Sequence, residues 1–350
     1  MQKHILVVDD NATNLHIAEN SLKPEYKLTL LLSGEQALKF LSRNKPDLIL
    51  LDISMPGMDG FETIKRIKEN PDTANIPVVF LTAMSASESE VKGLQLGAAD
   101  FIAKPFVPEV MLRRVSMQIE LASYRNQLEK MVDEKTTTVE KLQDVIVSSI
   151  TELVEFRDTV TGGHARRSKD YLEIFVHSLA KEPEYKDYLT PEMINNILRA
   201  GPLHDVGKIG INDDILNKDR GLSSIEYEYM KQHTINGGEA FKNALKQLPG
   251  NQFLEIARDM ALYHHEHWDG NGYPEHRKGE NIPLSARIMA IADVYDALTT
   301  KRSYKEPYSH EDAINIMTSA SGTQFDPKLI EVFLKCSEEF RILCNSFKEE

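Results

Sequence analysis

Leu48-Ile49-Leu50-Leu51-Asp52-Ile53-Ser54-Met55-Pro56-Gly57-Met58-Asp59-Gly60 runs from four uninterrupted apolar residues into an acid and then a Pro/Gly turn. Such a run, bounded by polar and turn-forming residues, reads as a strand buried on both faces. The pattern recurs on either side of it. Ile5 to Val8 ends in Asp9-Asp10, Leu28 to Leu32 is a further run, Val78 to Leu81 ends in Thr82, and Asp100 to Ala103 ends in Lys104-Pro105. Amphipathic helical patterns at Asn14–Leu22, Glu35–Ser42, Gly60–Asn70 and Ser87–Leu96 separate the strands. Strands alternating with helices predict a doubly wound α/β domain with a parallel sheet over residues 1–120. The carboxyl ends of such strands form a crevice, and Asp9, Asp10, Asp52, Thr82 and Lys104 all fall there.

Three carboxylates at one crevice repel one another unless a hard cation such as Mg²⁺ relieves them, and that cation can also take a phosphoryl oxygen. Lys104 adds a positive charge, Thr82 a hydroxyl, and Asp52 a carboxylate able to become an aspartyl phosphate. The segment resembles the receiver domain of two-component response regulators, a flavodoxin-like fold. The matching residues are Asp9-Asp10, Asp52, Met55-Pro56-Gly57-Met58-Asp59-Gly60, Thr82-Ala83 and Lys104-Pro105. The resemblance implies Asp52 as phosphoacceptor, Mg²⁺ held by Asp9, Asp10 and Asp52, a switch formed by Thr82 and Phe101 beside Lys104, and a partner histidine kinase as phosphodonor.

At 350 residues the chain is long enough for more than one domain. A formal charge of −13 argues against general binding to nucleic acid or to a membrane surface. Only two cysteines are present, Cys336 and Cys344, which offer no disulfide framework and fit a reducing compartment. No apolar run is long enough to span a bilayer, and Met1 to Asn11 is too short and acidic for a signal peptide, so the expectation is a cytoplasmic protein.

Met111 to Leu153 contains neither Pro nor Gly and allows one long helix, with residues 121–150 as a linker. A heptad places Val132, Val139, Ile146 and Leu153 at one core position and Leu121, Leu128, Lys135, Leu142 and Ser149 at the other. β-Branched residues at a with Leu at d favour parallel dimers, and Lys135 and Ser149 weaken the seam. The expectation is a homodimer through an adjustable signalling helix. The plainer alternative is a connecting helix packed on its own chain.

Residues 151–350 read as an all-α domain, with helical patterns at Val145–Asp158, His164–Lys181, Pro191–Leu203, Ser223–Asn243, Phe253–His264, Leu284–Thr299, His310–Ser319 and Pro327–Cys344. Imidazoles and carboxylates recur at their ends: His164, His204-Asp205, His233, His264-His265 and Asp293. Such donors suit Fe, Mn or Zn, and the distant cysteines exclude a thiolate site. After His265 comes Glu266-His267-Trp268-Asp269-Gly270-Asn271-Gly272-Tyr273-Pro274, a tight loop able to set an aromatic beside the ligands.

The run His204-Asp205-Val206-Gly207-Lys208-Ile209-Gly210 resembles the motif of HD-type metal-dependent phosphohydrolases. With Gly272-Tyr273-Pro274 it is similar to the HD-GYP subfamily of cyclic di-GMP phosphodiesterases. Further matches are Glu155-Phe156-Arg157-Asp158, Thr161-Gly162-Gly163-His164-Ala165-Arg166-Arg167, His233 before Gly237-Gly238-Glu239, and the stretch from Ile282 to Lys305. The resemblance implies metal roles for His164, His204, Asp205, His233, His264, His265 and Asp293, with Asp205 bridging two ions and a hydroxide between them as nucleophile. Lys208, one helical turn past His204, would donate to the phosphate or the leaving oxygen, making Lys208 and Asp205 the catalytic pair. Tyr273, Arg302 and Lys305 match positions that hold the guanine nucleotide. Val160 stands where some members carry a Glu ligand, so two metals of the Fe or Mn kind are expected, not three. Glu155 and Glu266 are candidates to orient ligand imidazoles. The leading expectation is a response regulator that hydrolyses cyclic di-GMP, to pGpG or GMP, under control of Asp52. The alternatives are a phosphodiesterase for another cyclic or linear dinucleotide, and a weakly active signalling adaptor.

Overall fold

The computed structural model describes residues 2–83, 87–158, 163–218, 221–301 and 306–349. The chain divides into two compact units, Met1–Thr137 and Thr138–Glu350.

The first unit is a five-stranded parallel sheet in the order β2-β1-β3-β4-β5. The strands are β1 (His4–Val8), β2 (Lys27–Leu31), β3 (Leu48–Asp52), β4 (Val78–Ala83) and β5 (Asp100–Lys104). Leu48 to Leu51 and Val78 to Leu81 have no exposed surface, because helices cover both faces of the sheet. The covering helices are α1 (Ala12–Leu22), α2 (Gly34–Leu41), α3 (Gly60–Glu69) and α4 (Ser87–Gln95). Side chains of Asn11, Ser33 and Asp59 cap the first three by accepting backbone N–H bonds. Gly60 is needed where α3 crosses the end of β3, since a Cβ there would lie 2.3 Å from the Asp52 carbonyl oxygen.

Helix α5 (Pro108–Arg157) is continuous for 50 residues. Met111, Val115 and Ile119 are buried in the first unit's core, and Val154 is buried in the second unit with Val147 against that unit's core. The heptad residues Leu121, Leu128, Val132, Val139, Leu142, Ile146 and Leu153 are exposed.

The second unit is helical: α6 (His164–Leu179), α7 (Pro191–Ala200), α8 (Asp213–Leu216), α9 (Ser224–Gln247), α10 (Gln252–Tyr263), α11 (Leu284–Thr299), α12 (His310–Ser319), α13 (Pro327–Lys335) and α14 (Ser337–Glu349). Its core centres on α6 and α11, where Tyr171, Tyr295, Phe333 and Phe340 meet at ring separations of 4.9 to 5.9 Å. Two expected helices are shorter than the sequence predicts. Pro327–Cys344 breaks at Cys336, whose backbone leaves the helical region (φ −109, ψ 12). Pro191–Leu203 ends at Ala200 and continues as a 3-10 turn, Gly201–Leu203, where Gly201-Pro202 disrupts the α-helical spacing. Among the described residues no helix is long and apolar enough to cross a membrane.

Candidate metal centre

In the second unit the ligand set assembles from five elements. His164 is the first residue of α6. His204 and Asp205 sit between the 3-10 turns Gly201–Leu203 and Val206–Gly210, and His233 lies within α9. His264 and His265 follow α10, and Asp293 lies in α11. The expectation that Lys208 follows His204 on one α-helical face is corrected. Gly201, Pro202, Gly207 and Gly210 keep the stretch out of the α-helix, and Asp205 occupies the bridge region (φ −98, ψ 7). Gly207 permits the close approach to α9, where a Cβ would lie 1.9 Å from the His233 carbonyl oxygen.

Four imidazoles are pinned by their Nδ1 atoms. His204 Nδ1 donates to the Gly201 carbonyl (2.8 Å), His233 Nδ1 to Met230 (2.7 Å), His264 Nδ1 to Met260 (2.8 Å), and His164 Nδ1 to Asp296 Oδ2 (2.7 Å). A donating Nδ1 leaves the Nε2 lone pair pointing inward. The Nε2 atoms of His164 and His204 face each other at 3.3 Å, and those of His233 and His264 at 3.5 Å. Opposed lone pairs at that distance repel unless a cation lies between them. Asp205 joins the two groups: Oδ2 lies 3.5 Å from His204 Nε2 and 3.9 Å from His164 Nε2, while Oδ1 lies 3.4 Å from His233 Nε2 and 3.8 Å from His264 Nε2. Asp293 Oδ1 adds a carboxylate 3.2 Å from His164 Nε2. The His265 ring lies 4.0 Å from that of His264, tilted by 41°, and completes a cluster with His233 and His264, opposite that of His164, His204 and Asp205. This donor set fits two divalent cations sharing Asp205.

Electrostatics agree with that fit. Burial drives the His265 pKa down to about 3, reinforced by His233, so the ring is neutral near pH 7 and able to act as a ligand. Burial, with the neighbouring imidazoles, likewise holds His264 well below its usual value. Burial would raise the Asp205 carboxyl, but Lys208 and the imidazoles override it and keep the group ionised. At His164 burial works downward, yet hydrogen bonds to Asp293 and Asp296 raise the pKa to about 10. A proton there does what a cation would do between the same carboxylates.

Lys208 Nζ lies 2.7 Å from Asp205 Oδ2 and 3.0 Å from Asp158 Oδ2, which sets an ammonium beside the cluster. The expected roles of Glu155 and Glu266 as partners of ligand imidazoles are corrected. Glu155 Oε1 accepts from Ala165 N (2.7 Å) at the start of α6, and Glu266 accepts from the backbone N–H groups of Glu275 and Arg277 (2.7 and 3.0 Å), folding the loop. The partner of His164 is Asp296, itself gripped by Arg167 Nε (2.7 Å) and Nη2 (3.1 Å). Asp296 lies three residues after Asp293 on one face of α11, a spacing that could have exposed it.

Tyr273 stacks 4.9 Å from the His265 ring. It lines a cavity of about 540 Å³ together with Asp205, Lys208, His233, His265 and Asp293. Arg302, Lys305 and Val160 lie outside the described residues.

In the first unit Asp9, Asp10 and Asp52 cluster at the sheet's carboxyl end. Lys104 Nζ bridges Asp9 Oδ2 (2.7 Å) and Asp52 Oδ1 (2.8 Å). Burial raises the Asp52 pKa, and the bond to Lys104 partly offsets this. Thr82 is buried at the end of β4, and Phe101 stacks on Phe80 at 5.9 Å.

Comparison with known proteins follows the same division. A family model described as HD domain matches residues 148–329, and one described as Response regulator receiver domain matches residues 5–116. A Vibrio cholerae protein named "Probable cyclic di-GMP phosphodiesterase" is 40% identical, with the alignment covering 99% of this chain and 80% of that protein. "Cyclic di-GMP phosphodiesterase response regulator RpfG" of Xanthomonas campestris is 31% identical across 98% of this chain and 90% of its own. A Vibrio cholerae "3'3'-cGAMP-specific phosphodiesterase 2" is 39% identical over 60% of this chain and 37% of its own.

Proposed function

The chain belongs to the HD-domain family and carries a response regulator receiver domain, and on that premise we propose that it is a response regulator whose output domain hydrolyses cyclic di-GMP. The observation that carries the reading is the Asp205 carboxylate, with one oxygen toward each of two groups of Nδ1-pinned imidazoles and Lys208 at its side.

The centre binds divalent metal, and in our reading it holds two ions, Fe or Mn, through His164, His204, His233, His264, His265 and Asp293, with Asp205 between them. When bound, such ions lower the pKa of water and neutralise a phosphodiester under attack. The residues of the chain do the rest. Lys208 presents its ammonium to the phosphate or the departing oxygen. Asp296 fixes the His164 ring, and the backbone carbonyls of Gly201, Met230 and Met260 fix the other three. Tyr273, Arg302 and Lys305 serve the nucleotide. In the receiver, Asp52 accepts a phosphoryl group from a histidine kinase, with Mg²⁺ on Asp9, Asp10 and Asp52. Lys104 then exchanges a carboxylate partner for the phosphoryl group, and Thr82 and Phe101 answer the change. The exposed heptad face of α5 suits a homodimer, and a kinase-fed enzyme on an intracellular nucleotide works in the cytoplasm.

The test is product analysis on purified protein whose metal content has been measured, given cyclic di-GMP and 3′,3′-cyclic GMP-AMP with and without beryllofluoride. Turnover of cyclic di-GMP to pGpG or GMP, changed by beryllofluoride, is expected. Metal-loaded protein that turns over neither nucleotide would refute the reading.

A further inference from the structure

The metal end of the cavity accounts for phosphodiester chemistry but leaves the part of the α9 wall that precedes His233 without a role. Tyr227, on the first turn of α9, and Met230 line the same cavity as Tyr273 and Asp205. The start of α9 is anchored by a capping box between Ser223 and Glu226, and Glu226 also pairs with Lys218. Tyr227 therefore projects from a fixed backbone, yet its side chain is 47% exposed, toward a cavity with apolar neighbours Leu216 and Leu222. Its ring stands edge-on to that of Tyr273, at 80° with centroids 6.5 Å apart. Lys231, one turn further along α9, sets its Nζ 5.0 Å from the Tyr227 centroid and 5.3 Å from that of Tyr273, tethered to Glu228 at 2.7 Å.

Resting on the function proposed above, we propose that Tyr227 and Lys231 form the base-recognition wall of the substrate pocket. Tyr227 stacks on a purine of the substrate, and Lys231 donates to the acceptor edge of guanine. An exposed ring beside a phosphate site is a platform for a base, because every base has a π-face. The lysine ammonium lies over one face of that ring and leaves the other to the base, and a donor so placed favours guanine, whose O6 and N7 are both acceptors, over adenine, whose N6 is a donor. The bond to Glu228 and the two rings restrain the Lys231 side chain, so little ordering remains when the base arrives. Selection of the base thus falls to α9, separate from the residues around the phosphate.

The experiment uses the full-length, metal-loaded protein and three substrates: cyclic di-GMP, cyclic di-AMP and bis(p-nitrophenyl) phosphate, a phosphodiester with no purine. Tyr227→Ala is expected to raise KM for cyclic di-GMP by about tenfold or more while kcat holds, and Tyr227→Phe to stay near wild type. Lys231→Met is expected to shrink the preference for cyclic di-GMP over cyclic di-AMP by about tenfold. Lys231→Met should not alter hydrolysis of bis(p-nitrophenyl) phosphate, which has no guanine edge, and Tyr227→Ala should affect it less than it affects cyclic di-GMP. Wild-type protein that turns over cyclic di-GMP while Tyr227→Ala matches its KM overturns the wall alone, as does an equal loss on the purine-free substrate. Wild-type protein that cleaves only bis(p-nitrophenyl) phosphate overturns the function proposed above and the wall with it.

Discussion

Among the candidate ligands, His164 is the one most dependent on its neighbour. The other three pinned imidazoles rest on backbone carbonyls, which cannot be mutated away, but its Nδ1 rests on the Asp296 carboxylate. Asp296→Asn keeps the shape and removes the charge, leaving the ring a weaker donor to a cation. The expected result is a loss of about 10- to 100-fold in metal affinity, read by metal titration, with activity recovered at high metal concentration. Unchanged affinity would mean that the Asp296 charge does not tune the His164 ring and that neutral contacts such as Ser168 Oγ, 3.2 Å from Nδ1, suffice to orient it. Gly207 makes a second prediction at this scale. Gly207→Ala puts a methyl group into the His233 carbonyl, so the 3-10 turn must move away from α9. The unfolding transition of the output domain should drop by the equivalent of about 1–3 kcal/mol, seen by calorimetry. The clustered imidazoles were legible in the sequence because histidine is scarce, 11 in the chain, and adjacent pairs with donor side chains are scarcer. Asp296 was not, being one of 54 acids, and only its distance of three residues from Asp293 marks it.

At the scale of elements, the strands of the receiver were legible because burial on both faces leaves them continuously apolar. The turn around His204 was not, because over five residues a 3-10 repeat and an α repeat place apolar residues almost alike. What no periodicity could reveal is how the last turn of α5 meets that segment. Arg157 donates to the carbonyls of Ile209 (2.5 Å) and Ile211 (3.2 Å) and pairs with Asp213 (2.7 Å). Glu155 holds the start of α6, and Asp158 holds Lys208. One helix end thus touches the first turn of α6 at Ala165, the segment after Lys208, and Lys208 itself. Asp158→Asn removes one of the two carboxylates on the Lys208 ammonium and lets it collapse onto Asp205. A fall in kcat of about 10- to 100-fold is expected, with KM and metal content nearly unchanged, because placement and not binding is lost. A rise in KM at constant kcat would assign Asp158 to substrate binding instead.

For the whole molecule, α5 is the covalent connection between the unit that holds Asp52 and the unit that holds the imidazole cluster, and its exposed heptad face predicts how a signal would pass. Val132, Val139, Ile146 and Leu153 alternate with Leu121, Leu128 and Leu142, and Lys135 and Ser149 interrupt the seam. A seam of that kind holds two copies in register without locking them, so a small rotation of one half can pass to the other. The prediction is that phase along the helix carries the signal, and phase can be altered without touching either domain. Inserting seven residues after Thr137 adds about 700°, close to two full turns, and restores the heptad, whereas inserting two adds about 200° and turns the downstream half to the opposite side. The seven-residue variant should remain dimeric by light scattering and keep its response to beryllofluoride. The two-residue variant should retain metal and basal hydrolysis, since every ligand lies beyond the insertion, but lose or invert that response. If both variants respond as the parent does, phase along α5 is irrelevant and the receiver must act on the output domain by direct contact. If neither variant is dimeric while the parent is, the seam tolerates no added length.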